Sequence, residues 1–371
     1  MVATVERLPV RHSPEKVRVA VLFNANAKAV SEKLRREVEQ FVPPEDVYYS
    51  RSFDDARAIA KTVLDRGYRT LLTGGGDGTF VGYANCLLDE ASRVRSASGE
   101  HAQNQGGAAL RLQPARAELP RFGVLKLGTG NSLANLSNSS SRRAGVVEDI
   151  IRARSGDAVK TRQLHLLQHE GKRAPFAGMG IDALVLNDYV RVKETLAGNK
   201  MQFAGVGGAG YFWAIVGRTI PAVLSQRTAP SVEVVNLGGP AQQLGPDGKP
   251  LGRPIAHGEV LYRGPCRLAA AGTVPCYGYN FQIFPFALRN AGRFQLRLTA
   301  MGVPWVLRNL PQIWRGQTPP SGLLDFSCEK VSIKFDRDMP LQVGGDAEGY
   351  RREVVLGMAP ETMELIDFGR A

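Results

Sequence analysis

Two short runs, Thr73-Gly74-Gly75-Gly76-Asp77-Gly78-Thr79 and Gly128-Thr129-Gly130-Asn131, carry residue types suited to holding a phosphorylated ligand. Glycines without side chains let backbone amides come within hydrogen-bond distance of an anion, and Asp77 keeps one carboxylate beside it. The amides of Gly75, Gly76 and Gly78 are the expected phosphate donors, with the hydroxyls of Thr79 and Thr129 adding to them. A phosphate on a magnesium-bound nucleotide is the natural guest. A single glycine turn is also an ordinary strand-to-helix connection. Two of them, each following an apolar strand, point to a shared ligand at one sheet edge.

The elements that must position these runs follow from the apolar pattern. Residues 16–24 read as a first strand ending at Asn24, and Ser31 as the N-cap of a helix from Glu32 to Phe41. A strand over 47–50, a helix over 53–66 and a strand over 68–72 then deliver the first glycine run. A helix is expected over 80–88, and the Ser, Ala, Gly, Gln and Arg-rich residues 89–121 read as a mobile insertion. Order returns with a strand over 122–127, ahead of the second glycine run. Strands alternating with helices predict a parallel sheet covered on both faces. Beyond Val159 short alternating strands, over 162–168, 231–236, 293–299 and 330–335, predict an antiparallel sandwich, interrupted by a helix over 303–314. The expected architecture is an α/β nucleotide-binding domain over 15–158, a β-sandwich over 159–350, and a segment, 351–371, packing back on the first domain.

Composition sets the outer bounds. A chain of 371 residues is longer than one core usually grows, so two domains are expected. Its 43% hydrophobic and 22% charged residues are ordinary for a globular protein, whereas the formal charge of +12 favours contact with something acidic. Cys86, Cys266, Cys276 and Cys328 are too dispersed for a zinc site or a disulfide framework, which fits a reducing cytoplasm. Met1 to Val17 has no apolar core and so no secretory signal, and Met201 to Gly217 is too short and glycine-rich for a membrane span. His165 and His169 fall in a strand and its turn, where a spacing of four makes no shared face for a metal.

Gly-Gly-Asp-Gly-Thr at 75–79, Gly-Thr-Gly-Asn at 128–131 and Gly-Met-Gly-Ile-Asp-Ala at 178–183 resemble the successive signatures of the diacylglycerol kinase catalytic-domain superfamily, which includes sphingosine kinases and bacterial lipid kinases. The first motif is shared with NAD kinases and phosphofructokinases, and the second is more particular to the lipid kinases. The resemblance implies an NAD kinase- and diacylglycerol kinase-like, Rossmann-like first domain, a sandwich that receives the lipid, and an active site in the cleft between them. It implies ATP as donor, Mg2+ beside Asp77 and a lipid hydroxyl as acceptor. Asn24 matches the asparagine that ends the family's first strand, Ser50 stands where a nucleotide-contacting threonine is common, and Lys28 adds positive charge near the phosphates.

The family usually supplies its proton acceptor from a late Asp-Gly-Glu turn. Here that turn reads Gly344-Gly345-Asp346-Ala347-Glu348, so Asp346 becomes the expected base, with Glu348 the weaker choice and Asp77 the acid beside the phosphates. Ala291 and Ser132 also replace acids frequent in relatives, which puts a second metal site in doubt. The stretch between Glu259 and Asp325 has no acid but seven arginines, with Trp305 and Trp314 among them. That pattern suits docking on anionic lipid headgroups, or else a solvated basic face over a tryptophan-containing core. The expected partners are a lipid substrate and an anionic membrane surface, with no nucleic acid, at a cytoplasmic, peripheral-membrane location. The competing readings are an NAD kinase-like enzyme on a soluble substrate, and a lipid-binding or regulatory protein of the same fold that has lost catalysis.

Overall fold

A computed structural model describes residues 18–25, 27, 30–104, 119–128, 131–155, 159–184, 229–277, 281–319 and 321–369, without the side chains of 97–104, 303 and 307. The first half runs β1 (Val19–Asn24), α1 (Glu32–Glu39), β2 (Val47–Ser50), α2 (Phe53–Asp65), β3 (Thr70–Gly75), α3 (Asp77–Asn104), β4 (Arg121–Lys126), α4 (Ser132–Leu136) and α5 (Arg143–Arg154). The strands lie parallel in the order β2-β1-β3-β4. Because alternate residues of a strand point to opposite faces, β1 serves two cores. Val19, Val21 and Phe23 pack with Leu34 and Val38 of α1 and with Val146 and Ile150 of α5. Ala20 and Leu22 pack instead with Ala56, Ala60 and Val63 of α2 and Phe80 and Ala84 of α3.

The helix starts are fixed locally. The Ser31 hydroxyl accepts the Leu34 N–H at 3.2 Å, and Ser52 and Asp55 form a reciprocal capping box at the start of α2. Two boundaries differ from the sequence expectation. β3 continues through Gly74 and Gly75, so only Gly76 separates strand from helix. α3 runs to Asn104 instead of stopping near Leu88. Beyond Leu88 the chain has no proline and is rich in Glu, Ala, Ser and Arg, and adding a turn to a nucleated helix costs little. Residues 105–118 of the expected insertion lie outside the described residues.

The second half is built from strands: β5 (Thr161–His169), β6 (Lys172–Ala174), β7 (Phe176–Gly180), β8 (Ser231–Asn236), β9 (Ala241–Leu244), β10 (Pro250–Ile255), β11 (Val260–Pro265), β12 (Leu268–Gly272) and β13 (Phe294–Thr299). The helix α6 (Val303–Trp314) then precedes β14 (Leu324–Cys328), β15 (Lys330–Val343) and β16 (Asp346–Ile366). β7, β12, β13, β14 and β9 are joined antiparallel, and β15 pairs with β7, β8 and β16.

β16 ties the halves together. It leaves β15 to pair with β5, then sets Leu365 beside Phe122 of β4, making one hydrogen-bonded sheet through both halves. Phe368 is buried in the cluster that holds Val19, and its N–H donates to the Ser137 carbonyl at 2.7 Å. Among the described residues no helix is long and apolar enough to cross a membrane, and Met201 to Gly217 lies outside them.

Candidate active site

Parallel register gathers the expected phosphate-site residues at one sheet edge. Asn24 lies opposite Ser50, Phe23 opposite Gly74, and Gly75 opposite Lys126. The Asn24 amide donates to the Thr79 hydroxyl at 3.0 Å, linking the end of β1 to the first turn of α3. Ser50 is buried, and its hydroxyl donates to the Ser52 carbonyl at 2.9 Å. Lys28 and Thr129 lie outside the described residues.

The glycines have a steric reason as well as an expected electrostatic one. A side-chain carbon on Gly74 would lie 2.5 Å from the Phe23 ring, and one on Gly75 would lie 2.4 Å from the Thr79 hydroxyl. The decisive contact is at Gly128, where such a carbon would sit 2.1 Å from the Gly76 backbone. The two turns therefore touch. Asp77 fastens them: its Oδ2 accepts the Ser132 N–H at 2.9 Å and its Oδ1 the Leu133 N–H at 3.0 Å. Burial pushes this carboxyl above its ordinary range, and the two amides oppose that rise. Asn131 adopts a left-handed backbone, with φ of 54°, while its side chain bonds both backbone groups of Gly128. Gly78 faces open space on the first turn of α3.

The late acidic turn arrives from the second half of the chain. Val343 pairs with Asp346 across Gly344 and Gly345, whose φ values of 65° and 89° make a two-residue hairpin turn that favours glycine. A side-chain carbon on Gly344 would already crowd Ala174 and Val81, and Val81 is one helical turn beyond Asp77. A larger residue at 344 would have to adopt a left-handed backbone and push Ala174 or Val81 back by a few tenths of an ångström. Asp346 pairs with the Lys172 ammonium at 2.9 Å, and Glu348 reaches the same ammonium at 2.5 Å. Ala291 sits in an exposed turn. β6, which carries Lys172, is held to α3 by Asn85, whose side chain bonds the Arg173 N–H at 2.8 Å and its carbonyl at 2.7 Å.

One acid of this region is not evident from sequence. Asp182 belongs to the helical turn 181–184 after β7, and its Oδ2 accepts the Tyr277 hydroxyl at 3.0 Å and the Gln342 amide at 3.3 Å. Its Oδ1 is cut off from solvent without a hydrogen-bond partner, and burial raises its pKa. The Gly-Met-Gly-Ile-Asp-Ala motif marks the segment, but the partners lie 95 and 160 residues away. Gly178 is required here, since a side-chain carbon would fall 2.1 Å from the Asp182 carboxylate. Next to Tyr277, Cys276 comes close to Asp77 and Ser132; burial pushes its thiol up to about 11, with the Asp77 charge adding and the Ser132 hydroxyl opposing. The loop at 273–277 thus reaches from Asp182 to Asp77.

The acid-free arginine stretch is not acid-free in space. Arg263 pairs with Glu233, Arg293 with Glu329 at 2.7 Å, and Arg297 with Asp325 at 2.8 Å in full burial. Trp314 stacks near Phe281, and Trp305 packs where Gly322 leaves room. Arg308 and Arg315 remain exposed on and just after α6. A separate groove of about 790 Å³, lined by His169, Glu329, Lys330 and Glu353, contains none of the expected site residues. Its Glu329 and Glu353 are already paired, with Arg293 and Lys334.

Residues 18–161 match the family model of the diacylglycerol kinase catalytic domain. The chain is similar in fold to a crystal structure of a diacylglycerol kinase from Bacillus anthracis strain Sterne, with a TM-score of 0.59 and 14% identity over 95% of this chain and 97% of that one. A second structure from that strain, described as a candidate diacylglycerol kinase, gives a TM-score of 0.60 and 15% identity over 95% and 98%. No curated protein sequence matches the chain.

Proposed function

Starting from a chain whose residues 18–161 match the diacylglycerol kinase catalytic-domain family model, we propose that it is an ATP- and Mg2+-dependent lipid kinase, transferring the γ-phosphoryl group to a hydroxyl of a diacylglycerol-like or sphingoid lipid. The observation that carries this reading is the Asp77 carboxylate binding the first two amides of α4 while Gly128 rests on Gly76. That contact turns two separate glycine turns into one rigid anion site.

The residues present fit a nucleotide that brings its own metal. Among the described residues no group of three or more acids, histidines or cysteines is arranged to hold an ion. Asp77 has both oxygens engaged with amides, so its remaining lone pairs suit a hydrated magnesium ion rather than a naked one. Bound nucleotide supplies the phosphoryl group and the metal's charge neutralisation. The chain's part is positioning: Asn24 fixes Thr79, Gly78 leaves open space at the first turn of α3, and Asp77 holds α4 against the first glycine turn. Asp346 accepts the hydroxyl proton as the acceptor oxygen bonds to phosphorus and the bond to the ADP oxygen breaks. Arg308 and Arg315 give α6 the charge to meet an anionic membrane surface.

Purified protein incubated with γ-labelled ATP and a total lipid extract tests the reading, with Asp77→Ala and Asp346→Asn as controls. Label in a lipid with the wild type and not with the controls is the expected result, and mass spectrometry of the product names the acceptor. Label in NADP would move the protein to the soluble-substrate class. A second reading, a lipid-binding protein without turnover, is favoured by the crowding at Gly344, and nucleotide and lipid binding without labelled product would support it.

A further inference from the structure

We infer that Lys126 is a phosphate-binding residue of the nucleotide site, its ammonium supplying positive charge that the two glycine turns do not carry themselves; this rests on the reading of that site given above. Residues 73–79 and 128–131 contain no lysine or arginine, and their one titratable side chain is Asp77. Lys126 ends β4 and pairs in parallel register with Gly75, the last residue of β3. Just beyond it in sequence, Gly128 rests on Gly76. The lysine therefore stands at the seam where the two turns meet.

Alternation along β4 fixes the side on which this side chain leaves the sheet. Phe122 and Val124 belong to the core shared with α2 and α3, whereas Leu125 and Leu127 belong to the core shared with α1 and α5. Lys126 has the parity of Phe122 and Val124, so it leaves on the α3 face. Two contacts show how close the first turn of α3 comes to that face. Phe122 meets Phe80 of that turn edge to face, with ring centroids 5.5 Å apart. A side-chain carbon on Gly75 would run into Thr79 of the same turn. The base of the Lys126 side chain stands one strand spacing, about 4.8 Å, from that glycine.

The ammonium is also uncommitted. Lys126 is half-buried, and among the described residues no hydrogen bond or ion pair reaches it. β16 pairs with β4 only at Phe122, which leaves the end of the strand at Lys126 uncovered by it. The cations of β6 differ in this respect: Lys172 already meets Asp346 and Glu348, and Arg173 meets Asp89 and Glu361. A lysine on a flexible stem with three donors can follow a phosphate oxygen from such a position, and it brings a full charge where the backbone amides bring only dipoles.

The experiment is calorimetric titration of the full chain with ATP, tripolyphosphate and adenosine, for wild type, Lys126→Met, Lys126→Arg and Lys61→Met, with folding checked by circular dichroism. Lys61 is exposed on α2, toward the opposite edge of the sheet, and controls for the loss of one charge elsewhere on the protein. Lys126→Met is expected to weaken ATP and tripolyphosphate on the order of tenfold, as for one charge-assisted hydrogen bond, and to leave adenosine unchanged. Lys126→Arg keeps the charge and should recover most of the loss, and the advantage of the wild type should shrink in high salt. Lys61→Met should bind as the wild type does. Wild-type affinity for ATP in folded Lys126→Met overturns the inference and leaves the kinase reading intact. An equal loss in Lys61→Met, or a loss for adenosine as large as that for ATP, overturns it too. Should Lys126→Met fail to fold, Lys126→Gln decides by the same comparison. A wild type that binds ATP but labels no lipid removes the kinase reading alone, and one that binds no ATP removes the nucleotide site and this inference with it.

Discussion

The first residue of α3, Asp77, caps the first turn of α4 by accepting the N–H groups of Ser132 and Leu133, 55 and 56 residues further along the chain. A short helix of five residues has little stability of its own, so its orientation depends on this carboxylate.

Asp77→Ala is expected to cost roughly 1–3 kcal/mol, the range for leaving buried amide donors unpaired. Urea denaturation measures it, and calorimetric titration with ATP should show binding lost along with it. Unchanged stability would mean that water replaces the carboxylate.

Gly128→Ala must separate the two turns, because the new carbon would fall 2.1 Å from Gly76. A destabilisation of about 1–3 kcal/mol is expected, as for other overpacked sites. Gly78→Ala meets nothing within 4 Å and lies in the first turn of a helix, so it should be neutral or slightly stabilising. Equal midpoints for the two variants in thermal melts would contradict the contact.

Asp182 predicts a pH dependence. Its folded pKa is raised, so the native state holds its proton more tightly than the unfolded chain does. The stabilising contribution is complete below the ordinary aspartate pKa of about 3.9 and is lost as pH rises through the elevated folded value. Asp182→Asn cannot ionise and lacks this loss. Its stability relative to wild type should climb on going from pH 4 to pH 8, read from denaturation midpoints. A constant difference across that range would show that Asp182 stays unshifted.

Cys276 should be inert in the folded protein. With its thiol pushed up to about 11, the thiolate fraction at pH 8 falls to roughly one two-hundredth of that of an ordinary cysteine near 8.5. Alkylation followed by peptide mass spectrometry should find Cys276 modified on the order of a hundredfold more slowly in buffer than in urea. Equal rates would place it outside the buried contact with Ser132.

By itself the sequence determined what depends on local pattern. The alternation of β1, the serine cap of α1, the span of α6 and the two glycine runs are properties of neighbouring residues, and periodicity and steric preference settle them. The ends of β3 and α3 escaped that logic, because sheet pairing carries β3 through two glycines and an already nucleated helix carries α3 past Leu88.

Only the tertiary structure decided which charges meet. Three arginines of the acid-free stretch, Arg263, Arg293 and Arg297, are paired with Glu233, Glu329 and Asp325, which sit outside that stretch but beside it across the sheet. Asp182 found its partners at Tyr277 and Gln342, and Asp346 proved to share Lys172 with Glu348. Electrostatic and hydrogen-bond energies depend on distance in space, and antiparallel strands place side by side residues that are far apart along the chain. Backbone propensity fixes the turn that carries an acid, whereas the fold fixes what that acid faces.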